Sequence, residues 1–154
     1  MANLLGTDLT VLPHFAAHDA TAADLVLRWT PRRVWIDDPK RQAADAAVLT
    51  GRENLAQAMI LRLLTPRGSL EELGHSAYGS RLHELIGRRK TSSLRNLCRA
   101  FVLETVAQEP RVEAKAVELT FDEPAERFDS FVFTLVVQPV TEGDPVALGL
   151  EIGL

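Results

Sequence analysis

Apolar positions recur in two rhythms along this chain, and the change of rhythm divides it. Leu55, Met59 and Leu63 fall four residues apart, with Ile60 and Leu64 on an adjoining stripe. That spacing predicts a helix. Thr50 followed by Glu53 matches a capping box at its start, and Pro66 predicts its end at Thr65. Residues 69–79 read as a loop. Ser80 is placed to cap a short second helix bearing Leu82, Leu85 and Ile86, with Gly87 just past its end. Thr91 or Ser92 opens a third, whose apolar face is Leu94, Leu97, Cys98, Phe101, Val102 and Thr105, ending near Gln108.

From Val112 the period drops to two. Val112, Ala114 and Ala116 alternate on one face, then Val117, Leu119 and Phe121 on the other. That phase shift predicts a β-bulge near Ala116 and Val117. Phe131, Phe133, Leu135 and Val137 alternate next, and Val146, Leu148, Leu150, Ile152 and Leu154 after them, with polar turns over 122–127 and 141–145. Residues 1–49 are less regular. Leu4 to Leu12 and Leu25 to Ile36 suit short strands broken by Pro13 and Pro31, and 37–49 read as a polar connection with room for a helical turn. The expected architecture is α+β: three helices packed on a small antiparallel sheet with a C-terminal three-stranded meander. The length of 154 residues suits one domain, with a divergent N-terminal segment (1–49), a helical part (50–108) and a strand part (109–154).

Composition changes this picture little. Hydrophobic residues are 46% and charged residues 25%, as in ordinary globular chains. The net charge of -4 argues against a dedicated nucleic-acid binder. Charge is nonetheless segregated. Arg81, Arg88, Arg89, Lys90, Arg95 and Arg99 stand against Glu84 alone in 81–99, and acids dominate 109–151. A basic end and an acidic end are expected, an asymmetry suited to docking in one orientation. The single cysteine, Cys98, permits no internal disulfide and falls on an apolar helical stripe, so it reads as core. The first residues lack the basic start and apolar run of a secretory leader, and no apolar run is long enough to span a bilayer. No membrane or nucleic-acid partner is expected.

Candidate chemistry is sparse. Gly74-His75-Ser76-Ala77-Tyr78-Gly79 approaches a nucleophile elbow but misplaces the second glycine. His14 and His18 have helical ligand spacing beside Pro13, without a third ligand. Pairs such as Glu71 with Glu72, or Glu104 with Glu109, are what chance gives among 21 acids. No catalytic, cofactor-binding or metal-ligating set is expected. Glu109-Pro110-Arg111 stands apart, at the junction of helix and strand. An extended backbone there would set the two opposite charges side by side on an exposed corner.

Four segments then occur in order: Gly51-Arg-Glu-Asn-Leu-Ala-Gln57, Leu61-Arg-Leu-Leu-Thr-Pro-Arg-Gly68, Tyr78-Gly-Ser-Arg-Leu82 and Glu109-Pro-Arg111. Together they resemble the baseplate wedge, or sheath-initiator, family of contractile tails. That family includes phage baseplate proteins and the corresponding subunits of type VI secretion systems and phage-like injection particles. The resemblance is good over residues 50–121 and weaker elsewhere. It implies a structural protein without enzymatic activity, made in the cytoplasm and built into the particle in a sixfold arrangement. Its implied partners are baseplate wedge proteins and the sheath protein, with inner tube or hub proteins as further neighbours. Glu109, Pro110 and Arg111 match the family motif associated with wedge docking. The resemblance also implies that the first sheath ring adds strands to the protein's sheet. The C-terminal strand, with Val146, Leu148, Leu150 and Ile152 alternating and Glu151 its one charge, reads as the edge that receives them. Some relatives carry a lysozyme label, and a tail-associated peptidoglycan hydrolase is the alternative.

Overall fold

The computed structural model describes residues 5–9, 11–12, 26–27, 29–32, 43–46, 48–141 and 144–154. The chain divides into two units, residues 1–57 and 58–154. His14 and His18 lie outside the described residues.

Short antiparallel ribbons run through the first unit. β1 (Thr7–Leu9) opens the chain, followed by β2 (Val11–Leu12), β3 (Val26–Leu27), β4 (Trp29–Arg32), β5 (Ala43–Ala46) and β6 (Val48–Thr50). β1 pairs with β6, β2 with β3, and β4 with β5. Two expectations are corrected here. Residues 43–46 and 48–50 are strands rather than a polar connection, and Pro31 lies inside β4, opposite Ala44. A two-stranded ribbon has only edges, where a missing N–H breaks no second ladder. Helix α1 (Gly51–Leu64) follows. Its start is tied down by Gly51 N–H to Gly6 C=O at 3.3 Å and by the Asn54 side-chain amide to Leu5 C=O at 2.8 Å. Gly51 has φ +61°, and among the described residues no hydrogen bond from Thr50 to Glu53 closes the expected capping box. Leu55, Met59 and Leu63 are buried, as their spacing requires.

In the second unit the expectation of three helices is overturned. Among the described residues there are two α-helices, α1 and α2 (Ser92–Ala107), while the mixture of helix and strand stays compatible with an α+β class. The intended second helix is a single 3₁₀ turn, Leu82–Leu85. Two local causes shorten it. Gly87, at φ +78°, turns the chain away at once. Ser80 donates its hydroxyl to Leu63 C=O at 2.6 Å, so its oxygen serves the end of α1 as much as the new turn. One turn cannot repay helix nucleation by itself. α2 behaves as its sequence requires: Thr91 Oγ1 accepts from Leu94 N–H at 3.1 Å, and Leu94, Cys98, Phe101, Val102, Thr105 and Val106 are buried.

The strands that follow, β7 (Val112–Phe121), β8 (Ser130–Pro139) and β9 (Val146–Gly153), form one antiparallel sheet in the order β7-β8-β9. The β7–β8 register shifts between Val112 and Val117, where the phase of the sequence changes. β8 is central. Its Phe131, Phe133, Leu135 and Val137 are fully buried, and Phe121 packs edge-on to Phe131 with ring centroids 5.9 Å apart. α2 packs against β7 on this face.

Candidate functional site

The Glu109-Pro110-Arg111 corner is built as a turn, not as extended chain. Val112 N–H donates to Glu109 C=O at 3.1 Å, closing a β-turn with proline at its preferred second position. The turn folds Arg111 back onto Glu109: Arg111 Nε donates to Glu109 Oε1 at 2.6 Å. Glu109 is 4% exposed, so it is an internal residue and not a presented charge. Arg62 of α1 approaches its other oxygen at 3.5 Å. Burial pushes the Glu109 carboxyl upward, but Arg111 and Arg62 outweigh it and hold it below the usual carboxylate range. Pro110 is exposed, and Val140, whose N–H bonds Arg111 C=O at 2.9 Å, is exposed beside it.

Beyond this corner lies an open cleft of about 600 Å³ lined by Arg62, Arg67, Gly74, His75, Ser76, Ala77, Tyr78 and Gln108. Arg62 stacks over the Tyr78 ring at 4.6 Å, and Arg67 pairs with Glu104. The near-elbow around Ser76 is therefore a loop between 3₁₀ turns, without the strand-to-helix bend of a nucleophile. None of the lining residues is a carboxylate, whereas glycoside hydrolysis needs two across the cleft. Glu104 and Glu109 are each held by arginine. Cys98 is fully buried, and burial pushes its thiol up to about 12. Among the described residues no group of three His, Cys, Asp or Glu could hold a metal ion.

The sheet edges differ in a way that only pairing reveals. Asp122 N–H donates to Val132 C=O at 2.8 Å and Val140 N–H to Arg111 C=O, so even-numbered residues of β8 turn their backbone groups to β7. Leu154 N–H donates to Asp129 C=O at 2.7 Å, so odd-numbered residues turn theirs to β9. Val146, Leu148, Leu150 and Ile152 face odd partners, Val137, Leu135, Phe133 and Phe131. Their backbone groups are consequently spent on β8 and their side chains turn to the core side. The groups that point outward belong to Ala147, Gly149, Glu151 and Gly153. Among the described residues β9 has no second neighbour strand. The opposite edge is obstructed: Arg99 of α2 donates to the outward C=O of Leu119 at 3.0 Å, and the bulge interrupts β7 further along.

The sequence reading puts Val146, Leu148, Leu150 and Ile152 at the receiving edge, whereas their backbone groups bond inward to β8, because the phase of the ladder is set by that neighbour. It also gave no role to Arg62, Arg67 or Arg99, whose partners lie 47, 37 and 20 residues away. The one signal for Arg62 and Arg67 is that both fall within Leu61–Gly68. No family model, curated protein or solved structure matches the chain.

Proposed function

We propose that this chain is a structural baseplate component of a contractile injection machine, a phage tail or phage-like particle, which docks on the baseplate wedge and templates the first sheath ring by strand addition. The observation that carries this reading is the β9 edge, whose outward N–H and C=O groups meet no other strand among the described residues while Arg99 occupies the other edge. Such an edge is a template for a partner strand. The resemblance of the four ordered segments supplies the kind of partner, sheath protein on one side and wedge on the other. Docking on the wedge uses Pro110, Arg111 and Val140, with Glu109 holding Arg111 from inside. A hydrolase reading has no carboxylate in the cleft to work with.

Gly149→Pro is the appropriate test. The Gly149 N–H points outward, so proline there removes a donor from the free edge and none from the β8–β9 ladder. Truncation at residue 150 is a poorer probe, because Leu150 and Ile152 pair with the buried Phe133 and Phe131. The Gly149→Pro protein is expected to fold, to join baseplates and to start few sheaths, counted by electron microscopy. Sheaths in normal number and length would sink the reading.

A further inference from the structure

We infer that the β9 edge selects its partner by side-chain chemistry. It takes, antiparallel, an extended segment with bulky residues opposite Gly153 and Gly149, a lysine or arginine opposite Glu151, and apolar residues opposite Ile152, Leu150 and Leu148. The inference rests on the reading of β9 as a templating edge and adds what the template can recognise.

The alternation follows from geometry. In an antiparallel ladder, residues directly opposite each other lie on the same face of the sheet. Partner residues opposite the outward-bonding positions therefore share a face with Ala147, Gly149, Glu151 and Gly153, all four of them exposed. A Cβ built at Gly149 or Gly153 would meet nothing within 4 Å, so that face has open space at two alternate positions. Large partner side chains fill such space by lying across the strand, where small ones leave the glycine backbone in water. Glu151 stands between the two glycines and is the only charge in β9. An opposite charge across from it is favourable and a like charge unfavourable. On the core side, Val146 and Leu148 are buried but Leu150, Ile152 and Leu154 are only half-covered. Apolar partner residues at the intervening positions complete that cover. Antiparallel addition continues the pairing already present throughout the sheet. A second copy of β9 fits poorly: it has no cation for Glu151 and opposes further small residues on the exposed face.

The test uses a labelled, capped synthetic peptide reading Tyr-Val-Lys-Val-Tyr-Val-Ser, made soluble by a polyether tail, and fluorescence anisotropy with the full chain. Binding is expected, about five-fold weaker when the peptide lysine is changed to glutamate, and recovered when that acidic peptide meets Glu151→Lys protein. A peptide of the same composition with the alternation shifted by one residue is expected to bind no better than a scrambled one. The Glu151→Lys exchange leaves every ladder bond in place, so it reports even if a proline variant is poorly folded. Equal binding of the lysine and glutamate peptides to both proteins would overturn the inference, as would a β9-mediated dimer of the free chain. Its failure is separable from failure of the proposed function. If the peptides obey the register while Gly149→Pro still starts normal sheaths, the edge recognises such segments but does not start sheaths. If Gly149→Pro blocks sheaths while the peptides ignore Glu151, the edge starts sheaths without this selectivity.

Discussion

Glu109 is a carboxylate removed almost wholly from water, and its state decides what the neighbouring Arg111 can do. A buried charge is tolerated only when paired, and removing one partner leaves the other uncompensated. Arg111 was expected to be an exposed corner charge of little weight in folding. Its Nε instead lies 2.6 Å from Glu109 Oε1, with the side chain about a quarter exposed. Arg111→Met is therefore expected to cost about 3 kcal/mol in urea unfolding. Adding Glu109→Gln should return part of that loss, since the buried carboxylate left with Arg62 alone in the single variant is gone. Additive losses in the double variant would show that the two side chains are independent. Charge reversal at Arg111 is accordingly a test of stability before it is a test of docking.

At the scale of elements, two of the ordered segments turn out to be halves of one structure. Leu61–Gly68 and Tyr78–Leu82 meet in a parallel bridge between Pro66 and Ser80, with Arg67 N–H to Ser80 C=O and Ser80 N–H to Thr65 C=O, both at 2.8 Å. The bridge closes the loop that walls the cleft. Gly79 makes it possible: its φ is +102°, and a Cβ there would lie 2.5 Å from Thr65 C=O. The contact is with backbone and has no flexible end to move aside. Gly79→Ala is expected to lower stability by about 2–4 kcal/mol, combining overpacking with a left-handed backbone that disfavours a side chain. Thermal unfolding of the purified variant measures this, and an unchanged midpoint would mean that the loop closes differently. The bulge in β7 was legible because hydrophobic phase is a property of sequence. The loss of the middle helix was not, because Ser80 looks like a cap until its bond to Leu63 is seen.

For the molecule as a whole, the segregation of charge along the chain is partly undone by ion pairs between the basic run and the acids that follow it. Lys90 and Arg95 from the basic run reach Glu126 in the β7–β8 connection at 2.8 and 2.6 Å, and Arg95 also pairs with Glu123 at 3.0 Å. The expected basic and acidic ends are thus partly consumed in joining helix to sheet. Burial pushes the Glu126 carboxyl upward, yet Lys90 and Arg95 prevail and hold it below the usual range, as happens at Glu109. Both glutamates bind protons less readily folded than unfolded, so the unfolded chain takes up more protons across that interval. Their stabilisation is complete above the unfolded glutamate value of about 4.3 and is lost as pH falls through the lower folded values. Urea unfolding from about pH 6 to about pH 3 should show stability dropping toward acid, with a shallower slope in Glu126→Gln. An identical slope in that variant would show that Glu126 is not linked to folding.

What the sequence determined by itself is what depends on near neighbours. The helical stripe of α1, the Thr91 cap and buried face of α2, and the alternation and bulge of the last three strands all follow from spacing along the chain. What only tertiary structure decided depends on groups brought together from a distance. Glu109 became an internal anchor because Arg62 and a turn surround it. Arg99 took the outward Leu119 carbonyl of one sheet edge because α2 packs against β7. The outward backbone groups of β9 fell to Ala147, Gly149, Glu151 and Gly153 because a strand's hydrogen-bonding phase is chosen by the neighbour it pairs with, which side-chain alternation does not encode.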